Sequence, residues 1–425
     1  MNLTSWYNGI GISKKAQNYL DDLVNVDIHS ETGSIKPQLA LAKESGTTVT
    51  EGCYSAVAPN GDVYFFSKDS GKTWKRAKSD GAYSLVNTNS NGAHKGCVYY
   101  RGYMYYATDT KLGRYNLDAT WNDNFQVLTS GTHAMRAFDL ILYLANDNDV
   151  AQFDDADVFS ESGLDLPTEQ DIADLKAFGD DLLVLANPGD YINDSKVFRW
   201  NTYADSWDVA DPIKAIKPYA FIDADNYTYV VCQGGEIYLY TGTTLESFSK
   251  IRNADTTTGH QLTCNFAGKP LIANGGKIYS LYRANRNLPM ALCCEYTCSA
   301  GVSASINSLA VSGNELLVSW TYNSTYGIDK ISSNYANAEI VTPVFREGKN
   351  IKVFYDSLPE GTSIAISTKA DGASSWTSQT VEVDAEDEMA VRLANNLDFK
   401  SHAQAKIVLN SDGTDYPIVD NINIE

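Results

Sequence analysis

The sequence repeats short apolar runs that are separated by turn residues. In seven places an apolar run, a turn of Gly, Asn or Asp and a second apolar run follow one another, as in CYSAVA followed by DVYFFS. The second runs begin near residues 62, 103, 140, 181, 226, 269 and 314, so that successive units are 37 to 45 residues apart. This spacing is typical of four-stranded sheets stacked side by side. The pattern predicts an all-β protein.

A four-stranded unit cannot bury both of its faces alone, so we expect the repeats to pack around a common axis. The seven units predict a seven-bladed β-propeller over residues 51–345. Six short alternating strands follow in residues 346–425, with Asp-Gly turns in the stretches 370–376 and 411–417. They predict a small C-terminal β-sandwich. The run AEIVTPVF at 338–345 is interpreted as the end of the last blade.

Residues 1–50 are too polar and too rich in turns to form a core of their own. We interpret them as an N-terminal arm laid on a neighbouring subunit or on the propeller rim. Alternatively, a strand of this arm joins the last blade and closes the ring, which would remove exposed sheet edges. Residues 13–24 are the one candidate helix, because Ile12, Ala16, Leu20 and Leu23 would share a face.

A complete S-x-D-x-G-x-T-W pattern, the Asp box, occurs once. Its members are Ser67, Asp69, Gly71, Thr73 and Trp74. The pattern resembles the hairpin between the third and fourth strands of propeller blades. We expect the Asp side chain to bind backbone amides, Gly to take a positive φ and Trp to close the hairpin.

The net charge of −20 argues against affinity for nucleic acid, since phosphate binding needs clustered Lys and Arg. Residues 139–211 carry 18 Asp and Glu against three Lys and Arg. The carboxylates Asp147, Asp149, Asp154, Asp155 and Asp157 are candidates for an acidic lumen wall or for cation contacts. They lack the regular D-x-D-x-D-G spacing of a calcium loop, so a solvated face is favoured and no metal is predicted.

The remaining candidate chemistry is sparse. The seven cysteines include the cluster Cys293, Cys294 and Cys298, but adjacent strand residues point to opposite faces, which favours buried free thiols over a metal site. The five histidines are isolated, and no nucleophile, phosphate-binding or zinc motif surrounds them. We predict no cofactor and no catalytic residue.

One repeat is rich in tyrosine. Tyr99, Tyr100, Tyr103, Tyr105 and Tyr106 are candidates for contacts with a partner or receptor, because Tyr presents a flat apolar face with a polar tip. The simpler interpretation is high β-propensity on half-buried outer strands.

The order of arm, propeller and sandwich resembles the β-propeller virion proteins of tailed bacteriophages, particularly tail hub or nozzle proteins. The stretches 341–345, 367–376 and 417–424 carry the resemblance. It implies a structural protein that works in the virion tail and assembles in the host cytoplasm. It also implies other tail proteins as partners, a homo-oligomeric ring of six copies, and a possible host surface glycan or protein. No apolar run reaches the length that spans a bilayer, and no secretory signal is expected.

The competing interpretation is a glycan-binding or sialidase-like glycosidase propeller, because sialidases also carry Asp boxes. Sialidases hold the substrate carboxylate with three arginines and repeat the box over several blades. This chain has ten arginines, one full box and no Arg-Ile-Pro motif.

Overall fold

The computed structural model describes the chain except for residues 1, 4–9, 11–19, 31–32, 45, 155, 157, 189–194, 216, 257–258, 284–289, 349, 371–372, 385–388 and 395–398. The described residues form antiparallel strands and no helix, and therefore no helix able to cross a membrane. The prediction of a helix at residues 13–24 is wrong for its last three residues, because Asp22–Val24 is a strand. Most of that stretch lies outside the described residues.

Seven sheets of four strands occupy most of the chain, and we number them 1 to 7 in chain order. Sheet 1 contains Cys53–Val57, Val63–Ser67, Lys72–Arg76 and Tyr83–Thr88; sheet 2 contains His94–Tyr100, Tyr103–Thr108, Lys111–Tyr115 and Trp121–Val127. Sheet 3 contains Met135–Phe138, Ile141–Asn146, Asp149–Phe153 and Phe159–Asp165; sheet 4 contains Gln170–Phe178, Asp181–Pro188, Lys196–Trp200 and Val209–Pro212. Sheet 5 contains Pro218–Ala224, Tyr227–Cys232, Glu236–Tyr240 and Leu245–Lys250; sheet 6 contains Thr263–Phe266, Lys269–Asn274, Lys277–Tyr282 and Ala291–Thr297. Sheet 7 contains Ser305–Ser312, Glu315–Tyr322, Thr325–Tyr335 and, from the N-terminal part of the chain, Leu39–Lys43.

The first strands of successive sheets contact one another in a closed cycle, in which sheet 7 returns to sheet 1. Each sheet therefore packs between two neighbours, which explains why the second strands are continuous apolar runs. All five residues of Val63–Ser67 are buried, whereas the outer strand Tyr83–Thr88 is half exposed. Separate apolar clusters fill the spaces between neighbouring sheets from sheet 7 through sheet 1 to sheet 5. Tyr64 and Phe66 of sheet 1, for example, pack with Met104 and Tyr106 of sheet 2.

The strand Leu39–Lys43 pairs with Thr325–Tyr335 and completes sheet 7. This is the pairing that the ring-closing interpretation of the N-terminal arm expects. Because this position is taken, the chain leaves the ring after Tyr335, and Ala338–Val341 pairs with Phe399–Asn410 instead. Assigning AEIVTPVF to the last repeat was therefore wrong. Side chains also join sheet 7 to sheet 1, since Ser308 Oγ donates to Cys53 O at 2.8 Å.

Two further sheets contain the C-terminal residues and the N-terminal end. The order in sheet 8 is Asn2–Leu3, Ile418–Ile424, Ile351–Ser357, Ala390–Leu393 and Val381–Val383. The order in sheet 9 is Asp22–Val24, Ala338–Val341, Phe399–Asn410, Ser363–Ala370 and Thr377–Ser378, with Phe345–Gly348 also on Phe399–Asn410. In the sequence, a pair of short strands, Val26–Asp27 and Lys36–Pro37, lies between Asp22–Val24 and Leu39–Lys43. One apolar cluster runs through sheets 5 to 9, so the C-terminal sheets share a core with the ring.

We expect Leu41→Ala to lower the free energy of unfolding by about 3 kcal/mol, because Leu41 is 6% exposed in that shared cluster. Urea denaturation followed by tryptophan fluorescence measures the loss. Leu39→Ala makes the same chemical change at a half-buried position of the same strand and should cost clearly less. Equal losses for the two variants would show that the closing strand is not held by this contact.

Candidate functional site

A cavity of about 410 Å³ lies at the centre of the seven sheets. We call it the central cavity. Its walls come from the first strands of sheets 1 to 5 and 7 and from the start of sheet 6. Backbone and side chains of all seven repeats therefore meet here, although no single repeat carries a recognisable motif for it.

Gln261 spans the ring centre on one side of the cavity. Its Oε1 accepts a hydrogen bond from Ser55 N of sheet 1 at 2.7 Å, and its Nε2 donates to Cys97 O of sheet 2 at 3.0 Å. Leu309 N of sheet 7 donates to Gln261 O at 3.0 Å. One residue that precedes sheet 6 thus binds the backbones of three other sheets.

His260 packs beside this bridge. Its ring stacks on Tyr54 with centroids 4.9 Å apart. Gly96 leaves the necessary space, since a Cβ there would lie 1.9 Å from His133 O and 3.3 Å from His260 Nε2. Burial, with Lys68 and His133 nearby, lowers the pKa of His260 to about 3, so the ring is neutral at neutral pH.

Asp174 forms the opposite wall, at a bulge in the first strand of sheet 4. Its carboxylate accepts hydrogen bonds from Leu175 N at 2.9 Å and from Phe221 N at 2.8 Å, which ties sheet 4 to sheet 5. Burial raises the pKa of Asp174 to about 7, and these two N–H groups oppose the rise. Thr263 Oγ1 donates to Phe221 O at 2.8 Å and ties sheet 6 to the same residue.

Two cations also line the cavity. Lys176 forms an ion pair with Asp223. Arg136 is exposed and has no hydrogen-bond or ion-pair partner among the described residues. The arrangement can bind a small polar molecule, because donors, acceptors and a charge converge on one partly open space.

Sequence reasoning missed this site. Its polar members stand alone in the sequence and meet only when the ring closes. The available signals were Gly96 and the Gly-His-Gln stretch at residues 259–261, which interrupts the turn between two repeats.

The Asp box lies in sheet 1 between the second and third strands, and not between the third and fourth as expected. Ser67 Oγ accepts hydrogen bonds from Asp69 N at 3.0 Å and Ser70 N at 2.9 Å, so the serine organises the turn. Asp69 Oδ2 instead accepts from Gly52 N at 3.4 Å.

Gly71 is required for space and not for a positive φ, which corrects the expected role. Its φ is not in the left-handed region, and a Cβ would lie 1.8 Å from Asn89 O. Thr73 is fully buried, and Trp74, at 3% exposure, packs in the cluster between sheets 7 and 1. The box therefore stabilises one hairpin and lies outside the central cavity.

Three of the candidate contact tyrosines cannot reach a partner. Tyr105 and Tyr106 are fully buried, because the second strand of sheet 2 is covered on both faces, and Tyr100, at the end of the first strand, is 8% exposed. Tyr106 donates a hydrogen bond to Asp123 Oδ1 at 2.5 Å. Tyr99 and Tyr103 are half-buried, and only Tyr99 lines the central cavity.

The acidic candidates serve local structure where they are described. Asp154 accepts hydrogen bonds from Ala156 N and Val158 N, and Asp149 accepts one from Ser162 Oγ at 2.8 Å. Asp147 is exposed in a turn, with φ of 65°. Asp155 and Asp157 lie outside the described residues. None of these carboxylates lines the central cavity.

All seven cysteines are free thiols, and six of them are buried. Cys293 and Cys294 are adjacent in a buried strand of sheet 6, where burial raises the pKa of the Cys294 thiol to about 12. Within the described residues no group of three His, Cys, Asp or Glu side chains is arranged to hold a metal ion.

Comparison with known proteins establishes the fold class and nothing finer. No protein-family model matches the chain, and no curated protein matches it by sequence. A virginiamycin B lyase structure from Staphylococcus aureus has a TM-score of 0.54 at 14% identity, covering 69% of this chain and 99% of that one. YCF48 bound to a D1 peptide has a TM-score of 0.51 at 8% identity, covering 72% of this chain and 98% of that one.

The extracellular domain of a hybrid two-component system from B. thetaiotaomicron has a TM-score of 0.52 at 12% identity. The chain covers 43% of the length of that domain. The three solved structures have a β-propeller fold in common, and so does this chain. An enzyme and a peptide-binding protein are both among them, so the fold does not decide between catalysis and binding.

Gln261→Ala should destabilise the protein by about 2 to 3 kcal/mol, because it leaves Ser55 N and Cys97 O without their partner. Thermal and urea unfolding measure the effect. The matched variant Gln233→Ala removes one exposed side-chain hydrogen bond to Thr256 O and should change stability by less than about 0.5 kcal/mol. A loss no larger than that of the control would contradict the bridging role.

Stability should fall as the pH is lowered from about 6.5 to about 4. His94 is 1% exposed, and burial lowers its pKa to about 4, whereas an unfolded histidine titrates near 6.5. Below pH 6.5 the unfolded chain binds a proton that the folded chain refuses, which removes about 3 kcal/mol by pH 4. Urea unfolding at several pH values measures this loss, and NMR of the His94 ring should show a neutral imidazole at pH 5.5.

His94→Gln keeps a donor for Ser67 O and should flatten this pH dependence by one proton. If the His94 ring titrates near pH 6.5 in the folded protein, the prediction fails.

Proposed function

We propose that this chain is a structural component of a bacteriophage tail, a hub- or nozzle-type ring protein that performs no catalysis. In this proposal sheets 1 to 7 are the blades of a seven-bladed propeller, and sheets 8 and 9 form a small β-sandwich. The tail assignment comes from the resemblance of the chain's order of parts to tail propeller proteins. The structural role is supported by how the parts are joined.

The observation that carries the proposal is the course of the N-terminal residues. Asn2–Leu3 pairs in sheet 8, Asp22–Val24 pairs in sheet 9 and Leu39–Lys43 completes sheet 7. The N-terminal residues thus hold positions in both parts, and separating the ring from the C-terminal sheets would expose the shared apolar cluster. A body that is built to transmit force between neighbours needs such a junction, whereas two modules on a flexible linker would move independently.

A DNA channel, if this chain contributes to one, lies between copies and not along the propeller axis. Gln261 occupies the ring centre through bonds to three sheets. The negative surface of sheets 3 and 4 would suit a channel wall, since like charges keep the phosphate backbone from adhering.

The uneven charge supports contacts between copies. Residues 51–127, which contain sheets 1 and 2, carry nine Lys and Arg against seven Asp and Glu. Residues 139–211 carry three against eighteen. A head-to-tail contact would place the acidic side of one copy against the more basic side of the next, and such contacts close into rings when the rotation allows. Six copies is the number that the tail resemblance implies.

An exposed apolar patch lies on the acidic side. Leu140 is 69% exposed and Tyr203 is 83% exposed, and Tyr203 Oη donates to Asp139 Oδ2 at 3.2 Å. This hydrogen bond and the charges of Asp139 and Asp180 raise the pKa of Tyr203. An apolar centre with an acidic rim suits a partner surface with an apolar residue among lysines or arginines.

Leu140 is also strained. It follows Asp139 in a two-residue turn, with φ of 46° at Asp139 and 61° at Leu140. Turns of this kind favour Asn and Gly, as in the corresponding Arg101–Gly102 and Ala267–Gly268 turns. A leucine that is both strained and exposed weakens the free protein, so contact with another molecule is the reason we infer for it.

A second candidate function is glycan binding, which the central cavity favours. The sialidase form of this alternative has less support, because Arg136 is the one arginine of the described residues that lines the cavity, whereas sialidases use three.

We expect the purified protein to form a ring of six copies. The Leu140→Gly variant should form smaller assemblies. Glycine accepts positive φ, so the variant should be as stable as the parent or more stable by up to about 1 kcal/mol. Mass photometry and thermal unfolding measure the two effects. The control variant Val302→Gly removes a different apolar side chain, which is 52% exposed, and should leave the ring intact.

The ring assignment is overturned if mass photometry detects only monomer, even in the presence of tail proteins. Imaging of the parent particle with this protein labelled tests the location, and label at any place other than the tail would overturn the tail assignment. Turnover of a fluorogenic glycoside would reject the non-enzymatic role.

A further inference from the structure

In a protein of net charge −20, Arg136 forms no hydrogen bond or ion pair among the described residues, and its electrostatic neighbour is Asp174. The other arginines that the structure describes are engaged by carboxylates, by aromatic rings or by a histidine. The pairs are Arg76 with Glu44, Arg199 with Asp181, Arg252 with Asp21, Arg283 with Asp225, Arg392 with Glu382, Arg346 with His402, Arg114 with Phe125 and Arg101 with Tyr100. Arg136, by contrast, lines the central cavity.

Two more polar groups of the same cavity lack a partner. Ser55 is 9% exposed, and its Oγ is buried without a hydrogen bond among the described residues. His260 Nε2 is also buried without a hydrogen bond among the described residues. Leaving a buried polar group unpaired costs about 1 to 3 kcal/mol, and a ligand in the cavity would supply the missing partners.

The charges of the cavity favour an anion below the pKa of about 7 to which burial raises Asp174, because that carboxyl is then largely neutral. Lys176 forms an ion pair with Asp223, and both oxygens of Asp174 accept hydrogen bonds from backbone N–H groups. At pH 6 the guanidinium of Arg136, which lies near Asp174 without forming an ion pair, is the remaining cation among the described lining residues. Its planar donors match a carboxylate or a phosphate in a bidentate geometry. A phosphate dianion would face one free cation and two nearby carboxyl groups, whereas a single carboxylate matches the one free cation.

The size and the lining of the central cavity narrow the class of ligand further. A volume of about 410 Å³ is small for a ligand site and suits a molecule the size of a monosaccharide. Ser55, His260 and Thr263 offer polar atoms, while Tyr99 and Phe221 add aromatic surface. Sugars present hydroxyl groups and apolar ring faces of this kind.

We propose that the central cavity binds a small monocarboxylate of sugar-acid type. Arg136 binds the carboxylate, and Ser55 Oγ and His260 Nε2 bind hydroxyl groups. The site requires no reaction and is independent of the tail role, since either could fail without the other.

Isothermal titration at pH 6 with D-glucuronate and N-acetylneuraminate tests the site, with D-glucose and the methyl ester of D-glucuronate as neutral comparisons. We expect saturable binding of at least one acid and binding of the neutral sugars weaker by about tenfold or more, because a charge-assisted bidentate contact is lost. Arg136→Gln should lose affinity for the acid to the same extent, and Arg136→Lys should lose less.

Arg101→Gln makes the same charge change on an exposed arginine outside the cavity and should leave affinity unchanged. Ser55→Ala should weaken binding of the acid and the neutral sugar alike. The proposal is overturned if no acid binds saturably, if acid and neutral sugar bind equally, if Arg136→Gln has no effect on a protein of unchanged thermal stability, or if inorganic phosphate binds more tightly than the acids.

Discussion

The backbone pairing of Leu39–Lys43 with Thr325–Tyr335 is the constraint on which the ring depends. Without it, sheet 7 would present an unpaired edge on Thr325–Tyr335. The residues before it pair in the two C-terminal sheets through Asn2–Leu3 and Asp22–Val24, and a single apolar cluster spans both parts of the molecule. The strand that completes the ring therefore belongs to the same N-terminal segment that joins the C-terminal sheets.

The local pattern of the sequence predicts the repeats well, for a physical reason. A strand covered on both faces must be apolar throughout, and runs such as DVYFFS and DLLVLA therefore mark where the second strands of sheets 1 and 4 begin, within one residue. The limits of the pattern are equally physical. Tyr105 and Tyr106 look like contact residues in a list of tyrosines, but their position on a second strand buries them. Gly71 is needed because of Asn89 O, a neighbour that only the folded hairpin supplies.

The central cavity could not be predicted, because its members are brought together by closure of the ring and not by spacing. Gln261 binds Ser55 across 206 residues, and Asp174 binds Phe221 across 47. Each of these side chains has the identity of an ordinary loop or strand residue in the sequence. The exposed Leu140 could be predicted in part. Once the strands are aligned, the sequence shows an Asp-Leu turn where other repeats use Gly or Asn.

The origin of the closing strand also has a consequence for synthesis on the ribosome. Leu39–Lys43 emerges first, but Thr325–Tyr335 follows only after roughly 280 further residues. Until then the early strand has no permanent neighbour, and bringing the two together requires closing a very long loop, which favours slow maturation. The unfinished chain would be exposed to mispairing with other nascent copies during that interval. Completion of the chain, and not the folding of any one repeat, then sets the moment at which the molecule becomes resistant to proteases.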